Sequence, residues 1–227
     1  MKHIITAILC FCSLATIGQN TTYDQWKEEA KNNIRLLPEY GHVPKTDAQK
    51  QADKEFIEDA IKQNGTPHNA SEHLVELGFK YFNRGDIKTA MYRFNQAWLL
   101  DPNNENIYWG FGAVYFNFKD YEAAIKSYDQ GLGINPKSSN ILTDKATIYM
   151  AMLNDKFDQN VLNKAIDLFD KSYSIDPTNQ NTSFKLSTLY FSINDCGKAM
   201  KYYNECKTNG GQPITQEYTD ALLQKCK

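Results

Sequence analysis

Laid against itself, the chain repeats its own pattern every 34 residues. Residues 71–104 carry Leu74, Leu77, Gly78, Tyr81, Ala90, Phe94, Ala97 and Pro102 at positions 4, 7, 8, 11, 20, 24, 27 and 32 of the unit. Residues 105–138 place Tyr108, Phe111, Gly112, Tyr115, Ala124, Tyr128, Gly131 and Pro136 at the same positions, with nothing inserted. From 139 the register continues as Leu142, Ala146 and Tyr149, with Lys145 at the usually apolar position 7. It resumes as Ala165, Phe169, Ser172 and Pro177 after seven extra residues between Met150 and Lys164. A fourth unit from 180 supplies Leu186, Ser187, Tyr190, Ala199, Tyr203 and Cys206, with Gly211 in place of the proline. A period of this length constrains the fold more than any local signal, because one such unit cannot bury its apolar face without a neighbour.

The residue types explain the period. Apolar residues three and four apart give each half-unit one buried helical face. Small residues at positions 8 and 20 let two helices approach closely, while large ones at 4, 11 and 24 fill the space around them. Proline at position 32 ends the second helix. The turns Asp101-Pro102, Asn135-Pro136 and Asp176-Pro177 recur in phase, which separates this pattern from the chance apolar stripes of an ordinary bundle.

These positions resemble the tetratricopeptide repeat (TPR) family over roughly 71–211. The resemblance implies an all-α, right-handed superhelical stack of helix-turn-helix units over 71–104, 105–138, 139–179 and 180–211. It also implies an inner groove lined by the first helix of each unit. The family's groove positions fall on Glu72, Val75, Phe79, Phe82 and Asn83 in the first unit, and on Asn106, Trp109, Ala113, Phe116 and Asn117 in the second. They continue as Asn140, Thr143, Asp144, Thr147 and Met150, then Asn181, Phe184, Lys185, Thr188 and Phe191. Such a groove is aromatic with amide-bearing rims and suits an apolar or amphipathic protein segment. Some relatives grip a peptide C-terminus with clustered Lys, Arg and Asn, since a carboxylate needs charge-assisted donors. Only Lys185 is basic at these positions, which argues against that mode.

The flanks carry their own signals. Lys2, the apolar run Ile4 to Ala15, and small or polar residues at Thr16, Gly18 and Gln19 read as a secretory signal peptide over 1–18. The run is far shorter than the roughly 20 residues of a membrane span, so no integral membrane segment is expected after cleavage. Leu9 and Phe11 precede Cys10 and Cys12 where lipoprotein processing needs a small residue. An exported protein, periplasmic or extracellular and without a lipid anchor, is therefore expected. Residues 19–70 read as a helical pair, about 22–37 and 46–63, with Thr46 and Gln49 as capping box and Gly65 as terminator. Trp26, Ala30, Ala52 and Phe56 echo positions 4, 8, 20 and 24, favouring a degenerate repeat over a separate arm. Residues 212–227 read as a capping helix, with Ile214, Tyr218, Ala221, Leu222 and Cys226 on one face.

Past the leader the cysteines are Cys196, Cys206 and Cys226. Cys196 and Cys206 stand ten residues apart on one helix, about 15 Å at 1.5 Å per residue, too far for a disulfide. Any bond therefore involves Cys226, and the expected pair is Cys196–Cys226.

The same reading excludes several functions. With 25 basic and 27 acidic residues well mixed, the chain offers no positive field for nucleic acid. No phosphate loop, Cys-x-x-Cys or nucleophile elbow is present, and His42, His68 and His73 complete no metal or catalytic pattern. Asp155 and Asp158 with Asn154 and Asn160 lack the alternation and glycine of a calcium loop. Neither catalysis, cofactor nor metal is expected. The expected function is an exported scaffold that binds another protein or a peptide segment in its groove. An inhibitor or immunity-like protein, covering an enzyme with the outer face or the seven-residue insertion, is one alternative. A self-associating structural protein is another, in which the polar end helix opposes endless stacking but leaves a homodimer open.

Overall fold

The structure, a computed structural model, describes residues 21–226. The leader expected over 1–18 lies outside the described residues. All regular structure within them is helical. After α1 (Tyr23–Ala30) come two short 3₁₀ turns, Ile34–Leu36 and Pro38–His42, and then α2 (Asp47–Asn64). The repeats follow as α3 (Pro67–Asn83) with α4 (Ile87–Leu100), α5 (Glu105–Asn117) with α6 (Tyr121–Ile134), α7 (Ser139–Asp155) with α8 (Gln159–Ile175), and α9 (Gln180–Ser192) with α10 (Cys196–Thr208). A last helix, α11 (Gln216–Lys225), closes the described chain. Each pair forms a tight hairpin, and each second helix packs on the first helix of the next pair.

The sterics of position 8 hold these hairpins together. A Cβ at Gly78 would meet the Phe94 ring at 2.4 Å, and one at Gly112 would meet the Tyr128 ring at 2.1 Å. Phe94, Phe111, Tyr128 and Phe169 are fully buried, each contributing roughly 1.5–3 kcal/mol by leaving water. The second helices start on aspartates: Asp86, Asp120 and Asp195 accept from the backbone N–H of Thr89, Ala123 and Lys198. Asp158 does the same for Asn160 and Val161. In the Asp-Pro and Asn-Pro turns, Asp101, Asn135 and Asp176 accept from the N–H two residues on. The seven extra residues lengthen helices: α7 has 17 residues against 13 in α5, and α8 has 17 against 14 in α6.

The helical pair expected over 19–70 is not formed. α1 stops at Ala30, well short of residue 37, and packs away from α2. Its Trp26 is buried against Phe118 at the α5–α6 turn, while Tyr23 stacks on Phe118 and hydrogen-bonds Asp120. The end of α1 and the segment after it run along α4 through Glu29–Lys88, Asn33–Tyr92 and His42–Trp98 contacts. Asn95, fully buried, holds it down by donating to the carbonyls of Arg35 and Leu37 and accepting from the Tyr40 N–H. There the backbone turns left-handed over four consecutive residues, Glu39 to His42, of which only Gly41 does so without strain. Only α2 continues the stack, packing on α3 as a preceding second helix would, with both the Thr46–Gln49 capping box and the Gly65 stop formed.

Candidate functional site

The first helices α3, α5, α7 and α9 converge on a recess of about 560 Å³ lined by Phe79, Phe82, Asn83, Trp109, Asp144 and Asn181, together with the exposed Glu76 and Lys80 and the buried Ala113. Residues from all four repeats thus meet in one space. Phe79 lies against Trp109 with ring centroids 4.3 Å apart and tilted by 46°. It also contacts Phe94 and Phe82 edge-on, at 5.1 and 6.5 Å, so the wall is pre-packed and rigid. Both Phe79 and Trp109 remain partly exposed to the recess.

Asp144 is the acidic group hydrogen-bonded to this aromatic wall. Its Oδ2 accepts from the Trp109 indole N–H at 2.6 Å, and its other carboxylate oxygen accepts no hydrogen bond among the described residues. The side chain keeps some exposure yet is crowded by protein, and burial pushes its carboxyl above the ordinary value. The Trp109 donor and the Lys185 ammonium oppose that rise without cancelling it. Nearby, the Tyr128 hydroxyl is buried without a partner among the described residues. Burial, then the Asp144 charge, holds its proton on.

Of the residues expected in the groove, Phe79, Phe82, Asn83 and Trp109 share this recess. Phe116 turns toward Tyr121, 6.0 Å away, and Asn117 faces a neighbouring recess of about 730 Å³ that Phe82 shares with Tyr23 and Phe118. Asn106 is engaged by Glu72 at 3.1 Å, and Asn140 by Asn179 at 3.1 Å. Lys185 borders Asp144 electrostatically. Phe184 and Phe191 stay half-buried, and Tyr218 of α11 packs edge-on against both, at 5.3 and 5.7 Å. Val75 and Thr143 are corrected, being 4% and 2% exposed and turned into the core. Glu76 stands at position 6 of its unit, the groove position that Asp144 and Lys185 hold in later units, and was passed over in the first; Lys80 falls outside the family positions, and its i, i+4 spacing from Glu76 on α3 is the signal that could have put it on the recess side.

Cys196 and Cys226 form a disulfide with Cα atoms 5.2 Å apart, tying the start of α10 to the end of α11. Cys206 stays free and buried. Among the described residues no helix is long and apolar enough to cross a membrane, and no His, Cys, Asp or Glu cluster is placed to hold a metal.

Comparison with known proteins agrees with this geometry. A TPR repeat model matches residues 78–117, and a tetratricopeptide repeat model matches 105–138. The fold is shared with a thermophilic TPR protein of Thermus thermophilus at 14% identity, TM-score 0.58, over 68% of this chain and 80% of that one. It is also shared with the APC/C hetero-tetramer Cut9–Hcn1 at 15% identity, TM-score 0.57, over 90% of this chain and 39% of that one. PilF of Pseudomonas aeruginosa gives 16% identity and TM-score 0.50, over 82% of this chain and 78% of its own. No curated protein sequence matches. The family models fall in phase with the 34-residue period, and the hairpins they cover belong to a stack of four built alike; the chain carries tetratricopeptide repeats.

Proposed function

We propose that this protein is an exported scaffold that holds a segment of another protein in the recess between α3, α5, α7 and α9. TPR stacks are protein-interaction scaffolds, and fold alone does not name the partner. The observation that carries the groove reading is the Phe79–Trp109–Asp144 arrangement. Rigid aromatic faces left partly exposed beside a desolvated polar group have the makings of a binding hot spot. Export is supported by the apolar leader and by the Cys196–Cys226 disulfide, a bond that persists in oxidising compartments. Fractionating the source cells and reading the mature N-terminus tests it, with Gln19 as the expected first residue.

The groove reading is tested by comparing capture of partners on the native protein and on a Phe82→Ala/Trp109→Ala variant of unchanged helicity. A partner lost only on the variant supports it; one retained equally moves the contact elsewhere. A second reading has its own observation. Phe157, 62% exposed at the tip of the lengthened α7–α8 hairpin, stands over a recess of about 540 Å³ lined by Met150, Leu153, Leu162 and Ile193. An inhibitor-like protein would use this tip, and Phe157→Asp would then abolish a complex that the groove variant leaves intact.

A further inference from the structure

Among the polar groups of the recess, Asp144 is the one hydrogen-bonded into the aromatic wall, and an apolar ligand would leave it unanswered. Asp144 has a single protein donor, Trp109, while its second oxygen has none among the described residues. Lys185 is close enough to lower its proton affinity but forms no ion pair with it. A carboxylate so placed costs free energy whenever it ionises, and a cation reaching it offsets part of that cost. The walls suit such a cation, since Phe79 and Trp109 line the same recess as the carboxylate, and aromatic faces attract positive charge through their quadrupoles. At the mouth, Glu76 and Lys80 bring opposite charges, so the rim selects neither sign and the discrimination falls to the interior. Asn83 and Asn181 stand on the same walls with amides able to bond an extended backbone.

We propose that Asp144 is the anchor for a single basic side chain, arginine or lysine, carried within an otherwise apolar stretch of the bound protein. This rests on the groove reading above and adds the chemistry of its ligand. The guanidinium or ammonium sits between the Trp109–Phe79 wall and the free oxygen of Asp144, while flanking apolar side chains contact Phe82 and Ala113. An acidic or carboxyl-terminal segment is rejected by the same carboxylate.

The test pans a random dodecapeptide library displayed on phage against the immobilised protein and against Asp144→Asn. Asparagine keeps an acceptor for the Trp109 N–H, and an unchanged near-UV spectrum and melting temperature control for folding. Native protein is expected to enrich peptides with one Arg or Lys flanked by apolar residues, and Asp144→Asn to enrich apolar peptides without it. Replacing that basic residue by Gln is expected to weaken binding about tenfold or more on native protein and less than about twofold on the variant, as for one charge-assisted contact. Apolar peptides enriched by native protein without a basic position would overturn the anchor and leave the groove reading standing. So would a basic preference that survives Asp144→Asn. Failure to enrich any peptide would remove both.

Discussion

At the scale of single residues, the fold asks the same backbone conformation of different side chains. Position 15 of the unit, in the turn between paired helices, is left-handed at Gly85 (φ 80°), Lys119 (φ 61°) and Asn194 (φ 65°). Glycine holds it freely, asparagine tolerates it, and lysine is strained there. Lys119→Gly is therefore expected to raise stability by about 1 kcal/mol, and Gly85→Ala to lower it by a similar amount, in thermal melts. Repeat three has no such turn, because its longer helices join through an extended segment ending at the Asp158 cap. A second residue-scale effect is electrostatic. His68 Nδ1 lies 2.7 Å from Asp101 Oδ2, and that hydrogen bond, more than any other influence, raises the imidazole above its ordinary 6.5. A raised folded value means the pair stabilises fully below pH about 6.5 and loses its contribution as pH rises through the higher folded value. The pair is exposed and screened, so the effect on melting is small. The NMR titration of His68 carries the signature: its midpoint is expected above the ordinary value of about 6.5 in native protein and back near it in Asp101→Asn.

At the scale of elements, Asn95 decides the course of the N-terminal segment. Its side chain makes three hydrogen bonds to the backbone of residues 35–40, where the left-handed run from Glu39 to His42 begins. Asn95→Ala strands two carbonyls and one N–H, and is expected to cost about 2–4 kcal/mol. Hydrogen exchange should then accelerate across residues 33–45 while α5 and α6 stay protected; exchange spread evenly over the chain would refute this assignment. The case also shows where sequence reading reaches its limit. The repeats were legible because Gly78 and Gly112, one unit apart, each face a large ring, a steric demand that leaves a fixed spacing in the sequence. The strap along α4 was not, because a left-handed run through Glu39, Tyr40 and His42 contradicts local preference and is held by residues far along the chain, Asn95 at Tyr40, Trp98 at His42 and Gln130 at Glu39. Trp26 and Ala30 imitate positions 4 and 8 since any buried amphipathic helix has that spacing, whichever surface buries it. Within the groove, Phe79, Phe82 and Trp109 were legible from family positions, whereas the covering of Phe184 and Phe191 depended on which way α11 laid Tyr218.

At the scale of the whole molecule, stability passes between neighbours, so the ends govern how unfolding begins. The described residues hold an apolar cluster around repeats one and two with Trp26 and Leu36, another around repeats three and four with Leu222, and a smaller one between them. The junction of repeats three and four is also polar, where Thr143 bonds Ser172 and Thr182 in a buried hydroxyl chain and Ser183 Oγ finds no partner among the described residues. Hydroxyl contacts fix register but bury less apolar surface than the Phe94–Gly78 type of contact. The C-terminal end is thus the weaker one, and α11 protects it through Leu222, the Tyr218–Ser187 hydrogen bond and the disulfide. The disulfide spans 30 residues of sequence, and a loop of that size removes enough unfolded-state entropy to contribute about 3–4 kcal/mol. Reduction, or Cys226→Ser with Cys196→Ser, is expected to lower the melting temperature and to release α11 first, then α9 and α10. Tyr218 would leave Phe184 and Phe191, extending the aromatic groove into the fourth repeat. Hydrogen exchange before and after reduction reads both events. Loss of protection confined to α9–α11, with α3–α6 unchanged, is the expected result; uniform loss would mean that the repeats unfold as one unit and that the cap does not control access to the groove.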